Sequence, residues 1–147
     1  MVWTGGVLRG TGTLALAAGA TATIDGTVVL ARHLRNDGTL TWQSGAIWLT
    51  DHDGGIAHLD NHATFNIVDG TFAAWSYNNP TPPQITNQAG ATITKTVPGT
   101  TTLGDGGSQF TNHGTVNVVA GVLNVGGGTT SGGSGSWTTN TGLNFTT

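Results

Sequence analysis

The chain has 147 residues, a formal net charge of −3 and only 7% charged residues, with 25 Gly, 28 Thr, 11 Asn, seven Asp, no Glu and one Lys. So many strand and turn formers, with so few helix-solvating side chains, exclude a helical bundle, a coiled coil and a doubly wound sheet, while 36% apolar content excludes a disordered tract. Four Lys and Arg argue against a nucleic-acid partner, zero Cys removes disulfide and thiol chemistry, and no apolar run reaches the length of a membrane span.

Taken in chain order, the elements repeat, and the repeat governs the rest of the reading. Trp3-Thr4-Gly5-Gly6-Val7-Leu8 is an opening strand of repeat type, and Thr13 is followed six residues later by Gly19. His33–Trp42 holds Asn36 and Thr39, with Gly45 six residues after that Thr; Ile47 and Leu49 then alternate as a further strand. Asp51-His52-Asp53-Gly54-Gly55 is a Gly-flanked corner. His58–Ile67 repeats the pattern with Asn61, Thr64 and Gly70, and leads to Phe72 and Ala74. Residues 75–83 break it, with three Pro and two Asn, and are predicted to be a loop excursion from a corner. Gln84–Asn87 and Ala91–Thr94 form the third copy, stretched by the two-residue insertion Ala89-Gly90. Gln109–Val118 is the fourth, with Asn112, Thr115 and Gly121, followed by Leu123 and Val125; Gly142–Phe145 is predicted to open a last partial copy.

A period near 25 residues built from short strands and Gly/Asn turns describes one coil of a β-solenoid. Within each copy the parity is constant. Leu34, Asn36, Leu40 and Trp42 share a face, as do Leu59, Asn61, Phe65 and Ile67, and Phe110, Asn112, Val116 and Val118. The expectation is a single all-β domain over residues 1–147. It is a right-handed parallel β-solenoid of five to six coils, its handedness taken from the bias of parallel crossovers. The inward Asn36, Asn61, Asn87 and Asn112 are predicted to form a ladder at a corner, since a buried amide must be bonded. Thr13, Thr39, Thr64, Thr92 and Thr115 are predicted to stack as an outward column.

Trp3-Thr4-Gly5-Gly6-Val7-Leu8, Asn112-His113-Gly114-Thr115-Val116 and Gly121-Val122-Leu123-Asn124-Val125-Gly126-Gly127-Gly128-Thr129 resemble the tandem repeats of bacterial β-helical stalks. These are the autotransporter passengers and filamentous-haemagglutinin-like adhesins. The resemblance covers essentially the whole chain and implies a section of a longer surface or secreted polypeptide. It supplies no catalytic residues.

Candidate chemistry is sparse. Two carboxylates at close spacing, Asp51 and Asp53, make a candidate calcium site with fewer ligands than calcium takes; no other cofactor is expected. Coil alignment stacks Arg35 on Asp60 as a surface ion pair, His33 on His58, and His62 on Asp37, with Gln88 between His62 and His113. Two imidazoles fall short of a zinc site. No catalytic set emerges, so an enzyme, including a β-helix polysaccharide lyase or hydrolase, is not expected. Outward Thr-x-Thr/Asn pairs resemble the ranks of ice-binding solenoids, but a second rank that starts at Ala15 spoils their regularity. Trp48, Trp75 and Tyr77 are the aromatics available for stacking on sugars or on a neighbouring rod. The sequence therefore predicts a shaft segment or filament subunit of a bacterial cell-surface or extracellular fibre. Its partners are copies of itself or flanking repeats, and a carbohydrate-binding adhesin module is the alternative.

Overall fold

The protein's structure, a computed structural model, describes residues 1–52, 55–68, 72–73, 81–104, 107–126 and 133–145. The chain winds into a parallel β-solenoid of about five turns, with about 22 residues per turn. Its first sheet stacks seven strands in order: Val2–Trp3, Thr21–Asp25, Thr39–Ser44, Thr64–Ile67, Thr92–Lys95, Thr115–Val118 and Ser136–Thr139. The second runs from Val7–Leu16 through Val28–Asn36, His58–Asn61 and Gln84–Asn87 to Gln109–Asn112, and Ile47–Leu49 pairs with the start of Val28–Asn36. The third stacks Phe72–Ala73, Thr100–Leu103, Val122–Val125 and Gly142–Phe145. One antiparallel pairing interrupts the winding, where Asp51–His52 folds back on Gly55–Ile56.

Alternation decides what points inward. Leu40, Phe65, Ile93 and Val116 form one buried column of the first sheet, and Trp42 and Ile67 belong to the next. Trp42 stacks on Phe65 with ring centroids 6.5 Å apart. Leu34, Leu59, Ile85 and Phe110 line the second sheet's inner side. Phe72 is placed by its backbone alone, and Ala74 lies outside the described residues.

Corners absorb the variation in coil length. Thr21 pairs with Thr39, whereas Thr64 pairs with Thr92, so the same circuit takes 18 residues in one turn and 28 in another. The Ala89-Gly90 insertion is confined to a turn closed by the Ala91 amide on the Gln88 carbonyl, 3.0 Å, and parity survives it. Ala17–Ala20 makes the same wider corner, again closed at 3.0 Å. Where coils stack tightly only glycine fits: Gly121 has φ 78°, and a Cβ there would lie 2.4 Å from the Gly99 carbonyl oxygen.

Two placements correct the sequence reading. Thr13 lies opposite His33 in the second sheet, and it is Thr21 that lies opposite Thr39. The spacing from Thr13 to Gly19 copies that of the later repeats by coincidence; Leu14 and Leu16 belong over Leu34 and Asn36. Gly142–Phe145 pairs with Val122–Val125 in the third sheet, so it closes a coil rather than opening one. The mean turn is shorter than the 25 residues expected because the first coils lack the extra corner residues of the middle ones.

Of the segment 75–83, residues 81–83 are described. Pro83 is buried and its carbonyl accepts the Gln109 amide at 2.8 Å, so the excursion has rejoined the wall by that point.

Candidate functional site

The Asn ladder forms at the corner between the second and first sheets. Asn36, Asn61, Asn87 and Asn112 are at most 1% exposed. Each Nδ2 donates to the next Oδ1: Asn36 to Asn61 at 2.7 Å, Asn61 to Asn87 at 2.8 Å and Asn87 to Asn112 at 2.8 Å. The same amides reach the first carbonyl of the strand beyond the corner, Thr64, Thr92, Thr115 and Ser136 in turn. Backbone amides of Gly38 and Gly114 donate to the Oδ1 atoms of Asn36 and Asn112. A ladder so thoroughly bonded is a structural spine, with no donor aimed at a ligand.

The outer face of the second sheet carries the densest chemistry. His33 and His58 sit on adjacent strands in register, and their rings stack with centroids 4.7 Å apart and planes 8° from parallel. Below them Asp60 is only 8% exposed although its position points outward. His62 Nε2 lies 2.7 Å from Asp60 Oδ2, and Gln88 Nε2 donates to Oδ1 at 2.7 Å. Thr13 Oγ1 lies 3.2 Å from His33 Nδ1, and His58 Nε2 lies 3.0 Å from Thr86 Oγ1. His33 Nε2 is 3.7 Å from Asp60 Oδ2, too long for a hydrogen bond, and is buried without a partner among the described residues.

Burial holds the His58 imidazole below its ordinary 6.5, against the upward pull of Asp60. Burial acts to raise the Asp60 carboxyl, but hydrogen bonds from Gln88 and His62 outweigh it and leave the group below 3.8. The cluster is therefore a proton-responsive patch of three imidazoles around one carboxylate. Among the described residues no group of three or more His, Cys, Asp or Glu could hold a metal ion.

Three expected contacts are redistributed. Arg35 and Asp60 are in register, yet the guanidinium turns to Asp37, with Nε and Nη2 donating to Oδ1 at 3.0 and 2.9 Å. A neighbour two residues away on the same strand end is easier to reach than one in the next coil, and Asp60 is already engaged by His62 and Gln88. His62 consequently bonds Asp60 and not Asp37. The expected column of His33, His58, Gln84 and Gln109 is in register as predicted. Gln88 takes the corner position between those of His62 and His113, where each backbone amide bonds a carbonyl of the Asn column.

The remaining candidates divide. Trp48 is outward and 39% exposed, in register with Val29, which is in turn opposite Val7. Trp75, Tyr77 and Asp53 lie outside the described residues, and Asp51 is placed by its backbone alone. Compared with known protein families, curated proteins and solved structures, the chain matches none. The site must be read from its own chemistry.

Two features escaped the sequence reading. Lys95, the one lysine, is 1% exposed in an inward column between Ile67 and Val118, and its ammonium donates to the Val97 carbonyl at 3.0 Å. Its parity with Ile67 was the available signal. Thr21 and Thr23 belong to the outward ranks of the first sheet; Ala22 and Ile24, alternating as Leu40 and Trp42 do, carried that signal.

Proposed function

We propose that the protein is a structural rod segment: a shaft section or filament subunit of a bacterial cell-surface or extracellular fibre, without enzymatic activity. The observation that carries this reading is the state of the solenoid's two ends. Among the described residues Val2–Trp3 and Ser136–Thr139 are the outermost strands of the first sheet, each with one neighbour. Beside them, apolar columns come to the surface. Met1, Trp3, Leu8, Leu14 and Leu16 line an apolar opening at one end, and Phe145 is 58% exposed at the other, edge-on to Trp137. An unpaired strand edge beside an exposed core column is a template for another rung. The next rung comes either from the same polypeptide or from a second copy. Head-to-tail contacts of this kind do not close and so give open filaments. The resemblance of the repeats to bacterial stalk proteins supports the same reading.

Light scattering and electron microscopy across a concentration series test it. Fibres with an axial repeat of about 25 Å, five to six rungs at strand spacing, are expected. A strictly monomeric species at every concentration contradicts self-assembly.

A carbohydrate-binding module is the second reading, favoured by the exposed ring of Trp48 in an outward row with Val29. Specific retention on a glycan array, lost in Trp48→Ala, would establish it over the pure shaft.

A further inference from the structure

The register of the first sheet creates a surface that the sequence reading had treated as broken. Six consecutive strands present two outward ranks. One consists of Thr21, Thr39, Thr64, Thr92, Thr115 and Ser136; the other of Thr23, Thr41, Asn66, Thr94, Asn117 and Thr138. All pairings are parallel, and the single irregularity, between Ile24 and Asp25, falls beyond both ranks. Ala15, which spoiled the second rank in the sequence, pairs with Arg35 on another sheet. None of the twelve positions is charged, and none is aromatic.

We propose that this face binds the ordered water lattice of ice. The chemistry selects that occupant. Protein partners are anchored by aromatic and Arg side chains, sugars by aromatic stacking, and nucleic acid or anionic membranes by cations. The twelve positions contain none of these. What they offer is hydroxyls, methyls and two amides on a grid of about 4.8 Å along the solenoid and about 6.7 Å along each strand. Those two repeats are of the same order as oxygen–oxygen repeats in the ice lattice. A rank of six rungs extends about 24 Å, so many individually weak contacts act together.

The grid is also preorganised. Threonine is stiff at χ1, and neighbours along the ranks fix one another further: Thr115 Oγ1 lies 3.1 Å from Ser136 Oγ, and Thr138 Oγ1 donates to Asn117 Oδ1 at 3.1 Å. A rigid array loses little side-chain freedom on meeting a lattice. The second sheet is the internal contrast, since its equivalent outward positions hold His33, Arg35, His58 and Asp60.

The test is partitioning of the purified chain into slowly grown ice, with freezing hysteresis measured in parallel. The wild type is expected to be enriched severalfold in the ice fraction over an inert protein of similar size. Thr41→Tyr and Thr94→Tyr, which raise a ring from the grid, are expected to fall to the level of the inert protein with unchanged circular dichroism. Gln109→Tyr on the second sheet is expected to match the wild type. Exclusion of the wild type from ice overturns the proposal without reference to any variant. So does equal enrichment of Thr41→Tyr and Thr94→Tyr, or retention of the wild type on crystalline chitin or cellulose with exclusion from ice.

Discussion

The outer faces of the first and second sheets share a backbone geometry and a corner, yet they differ completely in chemistry. On the first, six rungs repeat hydroxyls and amides without a charge; on the second, His33, His58 and Asp60 gather with His62 and Gln88 into a linked polar cluster. Both are held by inward columns that hardly differ in kind. The contrast teaches that in a solenoid the inward parity specifies the fold, while outward positions are free to carry either a uniform array or a local cluster.

The largest expected effect comes from the element that the two faces share. Asn61→Ala removes a donor and an acceptor from the middle of the ladder and leaves buried groups of Asn36 and Asn87 unpaired. Unfolding free energy should fall by about 1–3 kcal/mol. Asn66→Ala, five residues on but outward, should change it by less than about 0.5 kcal/mol. Denaturant unfolding of the two variants measures the difference, and equal losses would break the assignment of the ladder as a spine.

Acid should next separate the faces. His58 is held below 6.5 in the folded chain, so as pH drops past 6.5 the unfolded chain takes up the proton first and stability declines. Asp60 is held below 3.8, so its contribution is present above that pH and is lost as pH falls through the depressed folded value. Two successive losses are expected on acidification. His58→Gln should remove the first and Asp60→Asn the second, as followed by unfolding midpoints across the pH range. A profile unchanged by both variants would mean that the cluster is not coupled to folding.

The smallest effect belongs to the threonine face. Thr94→Val keeps the β-branched shape and should shift stability by less than about 0.5 kcal/mol, because the position is outward and the strand is held by its inner side. A loss comparable to that of Asn61→Ala would show that the hydroxyl rank is itself structural.

Much of this was legible in the sequence. Leu34, Asn36, Leu40 and Trp42 are buried as their parity required, and the Asn spacing alone gave the ladder. What was illegible lay where the repeat length changes. The first coils have their own corner lengths, so a spacing rule learned from Thr39 and Thr64 misplaced Thr13 and hid Thr21. Side-chain partner choice was also beyond a register argument. Arg35 faces Asp60 across the coils but bonds Asp37, because reach and competition for the carboxylate decide a surface pair after the backbone has set its alignment. Lys95 shows the reverse: a charged residue kept inward by parity, its head satisfied by a corner carbonyl.

The register at the first coils underlies both the unbroken threonine face and its contrast with the charged one, and the absence of native cysteine makes it directly measurable. Cα atoms paired on adjacent strands lie about 4.8 Å apart, within disulfide reach. In the Thr21→Cys/Thr39→Cys double variant, oxidation should form the intramolecular bond rapidly and nearly completely. The Thr13→Cys/Thr39→Cys variant should stay reduced or cross-link only between molecules. Efficient intramolecular bonding of Thr13→Cys to Thr39→Cys, with none between positions 21 and 39, would contradict the register and dissolve the continuous face.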